Sequence, residues 1–324
     1  MLRSLFKRDR REQADEETST PKHRVDSVIK KLEIKAQRLA QQRLLGRYRS
    51  RFRGRGLDFK DFREYLPGDD IRTIDWNVTA RFGRPFVKNS EEERELSVII
   101  ILDTSPSQHF GSGRETKLQL AQELATLMIF TALQSGDKVG LLVNNGECSR
   151  YIPPKKGRHH KQEVLRCVWT PLTQQKRHLE SNFIDSLEEL SYHMTKRGFL
   201  CFISDFLQPE VIASETNTNS EKLLAVLRKL SYRHETLALR TFDPRERHLP
   251  NVGTIVLRDQ ESGRTVKVNT SHSDWKHKFQ SKWEQWNTQF SELMKKTRWD
   301  FQDFQTDIDP LPLLANFLGS RTRR

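Results

Sequence analysis

The stretch from Leu96 to Leu102 reads LSVIIIL and then turns polar at once, in Asp103-Thr104-Ser105-Pro106-Ser107. An apolar run with no polar face has no side to offer to water. It predicts a strand covered on both faces, as in the middle of a parallel sheet. Parallel neighbours need crossover segments, so the rest of the chain has to supply helices for both faces. A run this short cannot form a membrane-spanning helix.

The downstream sequence meets that demand. Lys117–Leu133 carries Leu118, Ala121, Leu124, Ala125, Met128 and Ala132 at helical spacing. A strand is predicted from Asp137 (DKVGLLVNN), with SRYIPP from Ser149 as its hairpin partner. Further strands are predicted from Gly198 (GFLCFISDF), His234 (HETLALRTFD) and Gly253 (GTIVLRD), and over Trp299–Thr306. Helices are predicted near His160–Cys167 and over Phe183–His193, Glu221–Leu230, Asp274–Lys296 and Leu311–Leu318. In Asp274–Lys296, Trp275, Phe279, Trp283, Trp286 and Phe290 fall at helical spacing and are expected to pack on the sheet. His159 and His160 are expected in a surface loop. The fold class is α/β, a doubly wound, mostly parallel sheet over residues 96–324.

The segment ahead of that sheet has a different character. Residues 1–24 are polar and aperiodic and read as a disordered basic tail. Residues 25–95 read as an N-terminal helix, Val25–Leu45, followed by a small β-rich module. There Arg47, Arg49, Arg51, Arg53 and Arg55 alternate with Tyr48, Ser50, Phe52 and Gly54, the period of a strand. Such a strip fits a solvated strand face, and also fits contact with nucleic acid or an anionic membrane. Of the formal net charge of +13, +10 falls in residues 1–60, and Arg321, Arg323 and Arg324 carry the rest, so the body is close to neutral. Asp69, Asp70 and Asp75 follow Pro67-Gly68 and read first as turn chemistry. The three cysteines show no CxxC spacing, and no secretory apolar stretch opens the sequence, so a cytoplasmic protein is expected. There is no GxxxxGK[ST], GxSxG or HExxH, and no enzymatic activity is expected.

Ligands of open α/β sheets bind at the carboxyl ends of the strands, where strand order reverses. Asp103 ends the first strand and Asp205, in FISDF, ends another. If these two strands flank the reversal, the carboxylates become neighbours. Ser105 and Ser107 are two residues apart, so their hydroxyls can point the same way. The same segment also fits a turn with helix-capping hydroxyls. An all-oxygen donor set suits Mg²⁺, Mn²⁺ or Ca²⁺. An ion held by neutral hydroxyls, with carboxylates behind waters, keeps positive charge and seeks an anionic ligand.

DTSPS resembles the DxSxS motif of von Willebrand factor A domains. Their metal-ion-dependent adhesion site also takes a Thr from a second loop and an Asp from a third. The resemblance assigns Asp103, Ser105, Ser107 and Asp205 to such a site and puts Ser181 at the Thr position. Ser181 fits an N-cap before Phe183 equally well. Longer strings, GRGLDFKDFREYLPGDDIRTIDWNVTARFGRPFVK, EEEREL, LDTSPSQHFG, GDKVGLL and ISDF, resemble the bacterial domain of unknown function 58 family from about Gly46 onward. Members of that family carry a von Willebrand A-like domain and typically lie beside MoxR-type AAA+ ATPases. Many have N-terminal transmembrane helices, which this sequence lacks.

The resemblance implies a metal-dependent protein–protein adaptor. Its partner would be a MoxR-type AAA+ ATPase or that ATPase's client, supplying an acidic residue to the ion. Two alternatives come from other classes. One is a binder of nucleic acid or anionic membrane through the basic arm. The other is a haloacid-dehalogenase-like phosphatase, which needs a second Asp where this chain has Ser105.

Overall fold

The structure, a computed structural model, describes residues 27–34, 61–67, 69, 71, 74, 76–89, 95–170, 183–207, 218–258 and 264–320. The expected disordered tail, the arginine strip, most of the Val25–Leu45 helix, Asp70, Asp75 and Ser181 lie outside the described residues. Residues 27–34 are helical (α1). Strand β1 (Asp61–Glu64) pairs antiparallel with β2 (Phe86–Asn89), and α2 (Trp76–Phe82) lies between them in sequence. This small sheet is separate from the main one. In the turn after β1, the Asp69 carboxylate accepts the Leu66 N–H at 3.0 Å, which is turn chemistry as expected.

The main body begins at β3 (Ser97–Asp103) and runs through α3 (Lys117–Gln134), β4 (Lys138–Asn144), β5 (Ser149–Lys155) and α4 (Arg158–Trp169). It continues with α5 (Phe183–His193), β6 (Phe199–Ser204), α6 (Thr218–Arg233), β7 (Glu235–Phe242) and the single turn α7 (Pro244–Arg247). The last elements are β8 (Thr254–Arg258), β9 (Thr265–Asn269), α8 (Ser273–Thr297), β10 (Asp300–Gln305) and α9 (Pro310–Ser320). The six-stranded sheet has the order β10-β7-β6-β3-β4-β5, parallel throughout except for β5, which returns antiparallel to β4.

Strand β3 sits inside this sheet, as its sequence demands. Val98 to Leu102 are all 0% exposed. Full burial of each such side chain contributes about 1.5–3 kcal/mol, so this strand anchors the body. Val98, Ile100 and Leu102 face α3, α4 and α9, while Ile99 and Ile101 face α5, α6 and α8. The two apolar clusters are the two faces of a sheet covered on both sides.

Strand β5 forms one edge of the sheet. It contains Pro153 and Pro154 opposite a break in register at Gly140. A Cβ at Gly140 would lie 2.8 Å from the Ile152 oxygen and 2.9 Å from the Pro154 nitrogen, so only glycine admits this close approach.

Three expectations are corrected. GTIVLRD does form a strand, β8, but outside the main sheet, in a hairpin with β9. Its residues are alternately exposed and half-buried, so it lacks the apolar faces that an inner strand needs. Of the aromatic residues on α8, Trp286 and Phe290 are buried, whereas Trp275, Phe279 and Trp283 are only half-buried. His159 and His160 both belong to α4, which starts at Arg158, ahead of the helix expected near His160–Cys167, rather than to a surface loop, and the His160 Nε2 lies 2.7 Å from the Val139 carbonyl oxygen. Among the described residues no helix is long and apolar enough to cross a membrane.

Candidate functional site

β3 and β6 are neighbours, with Leu102 beside Ile203. From β3, β4 and β5 extend to one side and β6, β7 and β10 to the other, so strand order reverses between β3 and β6. Asp103 is the last residue of β3 and Asp205 directly follows β6. The structure thus brings together the two carboxylates picked out by sequence. Both are buried.

Asp103 is held from two directions. Oδ1 accepts the Ser105 N–H at 2.9 Å, and Oδ2 accepts the Ser204 hydroxyl at 2.6 Å. Burial and the neighbouring Asp205 charge raise its pKa above the usual carboxylate value, against these hydrogen bonds. A cation at the site would relieve both effects.

The loop after β3 turns at Pro106 into a short 3₁₀ turn, Pro106–His109. Ser105 precedes that turn but makes no side-chain capping bond. Its hydroxyl lies 3.1 Å from that of Ser107, so the two hydroxyls do point the same way. Thr104 is turned aside, its hydroxyl donating to the Asn144 carbonyl at 3.1 Å.

Sequence reasoning missed the remaining groups. Lys117, the first residue of α3, is 0% exposed. Its ammonium donates to Asp205 Oδ2 at 2.8 Å and to Glu246 Oε1 on α7. Burial works against the lysine's charge, but Asp205 and Glu246 more than offset it and hold its pKa above the ordinary value. Asp205 Oδ1 accepts the Leu207 N–H at 3.1 Å. Glu246 is fixed by a capping box with Asp243. Asp243, at the carboxyl end of β7, binds the N–H and hydroxyl of Ser112 at 2.8 and 2.6 Å and the Thr306 hydroxyl at 3.0 Å. Burial opposes its charge, yet these bonds keep its pKa below the ordinary carboxylate value. Asp243 thereby ties the loop carrying Ser112 to the sheet.

The residue after Asp205 is Phe206, whose backbone is left-handed at φ +55°. A bulky side chain rarely adopts that conformation. Here it is fully buried, with its ring 4.6 Å from that of Phe202 and 4.9 Å from that of Phe290.

The donor set suits a hard divalent ion. Three carboxyl groups, Asp103, Asp205 and Glu246, gather beside the single ammonium of Lys117, and burial raises the pKa of Asp103 and Glu246, so a further cation would favour their charged forms. Asp103, Ser105 and Ser107 present oxygen only, as Mg²⁺, Mn²⁺ and Ca²⁺ prefer. Among the described residues no cluster of three or more His, Cys, Asp or Glu could hold a metal, so a site here depends on the serine hydroxyls.

Relatives include uncharacterized proteins of Mycobacterium tuberculosis (strain ATCC 25618 / H37Rv) and Mycobacterium bovis. Each is 32% identical over 237 residues, covering 73% of this chain and 71% of its own length. Among solved structures, an aerotolerance-related membrane protein from Bacteroides fragilis NCTC 9343, carrying multiple mutations to serines, is similar over 70% of this chain and 98% of its own. The identity is 14% and the TM-score 0.44. The family described as "Protein of unknown function DUF58" matches residues 61–289, a span holding the paired hydroxyls, both strand-end carboxylates, Lys117 and Glu246, and the chain belongs to that family.

Proposed function

We propose that this chain is a non-enzymatic, von Willebrand A-like adaptor that binds a partner protein through a divalent ion. The observation that carries the reading is the pair of Ser105 and Ser107 hydroxyls, 3.1 Å apart, beside buried Asp103 where strand order reverses. Mg²⁺ is the ion of first choice, with Mn²⁺ or Ca²⁺ as substitutes. A bound ion would supply positive charge to a carboxylate oxygen of the partner. Ser105 and Ser107 would hold it directly. Asp103, fixed by Ser204 and by the Ser105 N–H, supplies charge from behind them. Asp205 adds charge from the third loop, and Ser181 is the proposed second-loop ligand. The resemblance in motif points to a MoxR-type AAA+ ATPase, or its client, as the partner. Cys148, Cys167 and Cys201 are buried and form no disulfide, in keeping with a cytoplasmic setting.

Calorimetric titration of the full chain with Mg²⁺ tests the site. Binding is expected in the wild type and is lost in Ser105→Ala/Ser107→Ala, with little change in thermal midpoint. Equal binding by both proteins would rule the site out.

A further inference from the structure

Lys117 has no task in the metal reading as it stands, yet the fold goes to some length to place it. It is fully buried, where an unpaired ammonium is strongly disfavoured. Both of its carboxylate partners are themselves held by backbone N–H groups, Asp205 by Leu207 and Glu246 by Asp243. The ammonium therefore sits in a socket built in advance from two separate segments of chain, one after β6 and one at α7.

We propose that Lys117 is a built-in counter-cation that keeps the divalent ion weakly held and fit for an acidic ligand. This rests on the metal reading of the same crevice. The ammonium offsets part of the carboxylate charge that would otherwise draw a divalent ion in. Without it the carboxylates would hold the ion more tightly and leave it less positive charge to offer an incoming carboxylate. Lys117 also holds Asp205 by Oδ2, which keeps that carboxylate from turning inward to ligate. It is thus a positioning residue for the ion, acting through Asp205.

Mn²⁺ binding to the full chain, followed by electron paramagnetic resonance, tests the idea. Lys117→Gln removes the charge but keeps an amide donor for the carboxylates, and Lys117→Met removes both. The expected result is Mn²⁺ affinity raised about tenfold, the sign that Coulomb repulsion requires. Affinity of the Mn²⁺-loaded protein for trifluoroacetate, read from ¹⁹F relaxation, should fall at least about threefold by the same argument. A lysine serving only to support the fold would leave Mn²⁺ affinity unchanged or lower it, and either outcome overturns the proposal. If Lys117→Met does not fold, as judged by circular dichroism, Lys117→Gln carries the test. Wild-type Mn²⁺ affinity in Ser105→Ala/Ser107→Ala would instead show that the metal reading itself has failed.

Discussion

Trp286 donates its indole N–H to the carbonyl oxygen of Phe206 at 3.0 Å. The bond joins the long helix α8 to the residue that follows Asp205. A left-handed phenylalanine costs about 1–3 kcal/mol and persists only where its surroundings hold it. Trp286→Phe keeps a ring and removes the donor. Stability is expected to fall by about 1–2 kcal/mol. Hydrogen exchange at the Leu207 amide, which bonds Asp205, should quicken. An unchanged exchange rate would show that α8 does not hold this turn.

Gly111 lies between the hydroxyl pair and Lys117. A Cβ there would lie 2.6 Å from both the Glu115 oxygen and the Thr116 Cα, backbone atoms with nowhere to go. Gly111→Ala should cost about 1–3 kcal/mol and weaken Mn²⁺ binding by displacing the start of α3. Gly113→Ala is the control, since its nearest atom would be the Asp307 Cβ at 3.9 Å. Chemical denaturation of the two variants should separate them clearly.

His234 gives the fold an acid-sensitive point. Its Nδ1 accepts the Gly198 N–H at 3.2 Å and must be unprotonated to do so. Burial, with Arg233 and Arg197 nearby, lowers its pKa from 6.5 to about 4. The unfolded chain therefore takes up this proton first as pH falls. The stabilisation is present above about pH 6.5 and is lost progressively down to about pH 4, amounting to about 2 kcal/mol or less once solvent screening is allowed for. His234→Asn keeps an acceptor, and its stability should be flatter across that range.

An adaptor with a recognition ion should show no Mg²⁺-dependent turnover of p-nitrophenyl phosphate. Ser105→Ala, Asp205→Ala and EDTA should each weaken capture of a purified MoxR-type ATPase or its client. Turnover that Asp103→Asn abolishes would transfer the site to the phosphatase alternative.

What the sequence made legible follows from local rules. An apolar run ending in a carboxylate identifies an inner strand, and it placed buried Asp103 and Asp205 at the ends of neighbouring strands with the Ser105 and Ser107 hydroxyls side by side. Lys117, Ser204 and Glu246 escaped because their bonds span 88, 101 and 129 positions of chain. One signal for Lys117 was there: a lysine directly after the Thr116 N-cap opposes the positive end of the helix dipole, so it needs carboxylates nearby. β8 misled because its alternation alone cannot say which sheet a strand joins. The spacing of Trp275 and Phe279 likewise shows a common helix face without showing how far along α8 the sheet extends.

The two prolines of β5 have a consequence for crowded surroundings. A bare sheet edge is a template on which another extended chain can add itself, whether a stray peptide or a second copy. Pro153 and Pro154 have no N–H to offer, and the two of them stand opposite the single Gly140, where the ladder to β4 is broken. This flank resists runaway stacking into fibres and stays inert toward extended chains that meet it.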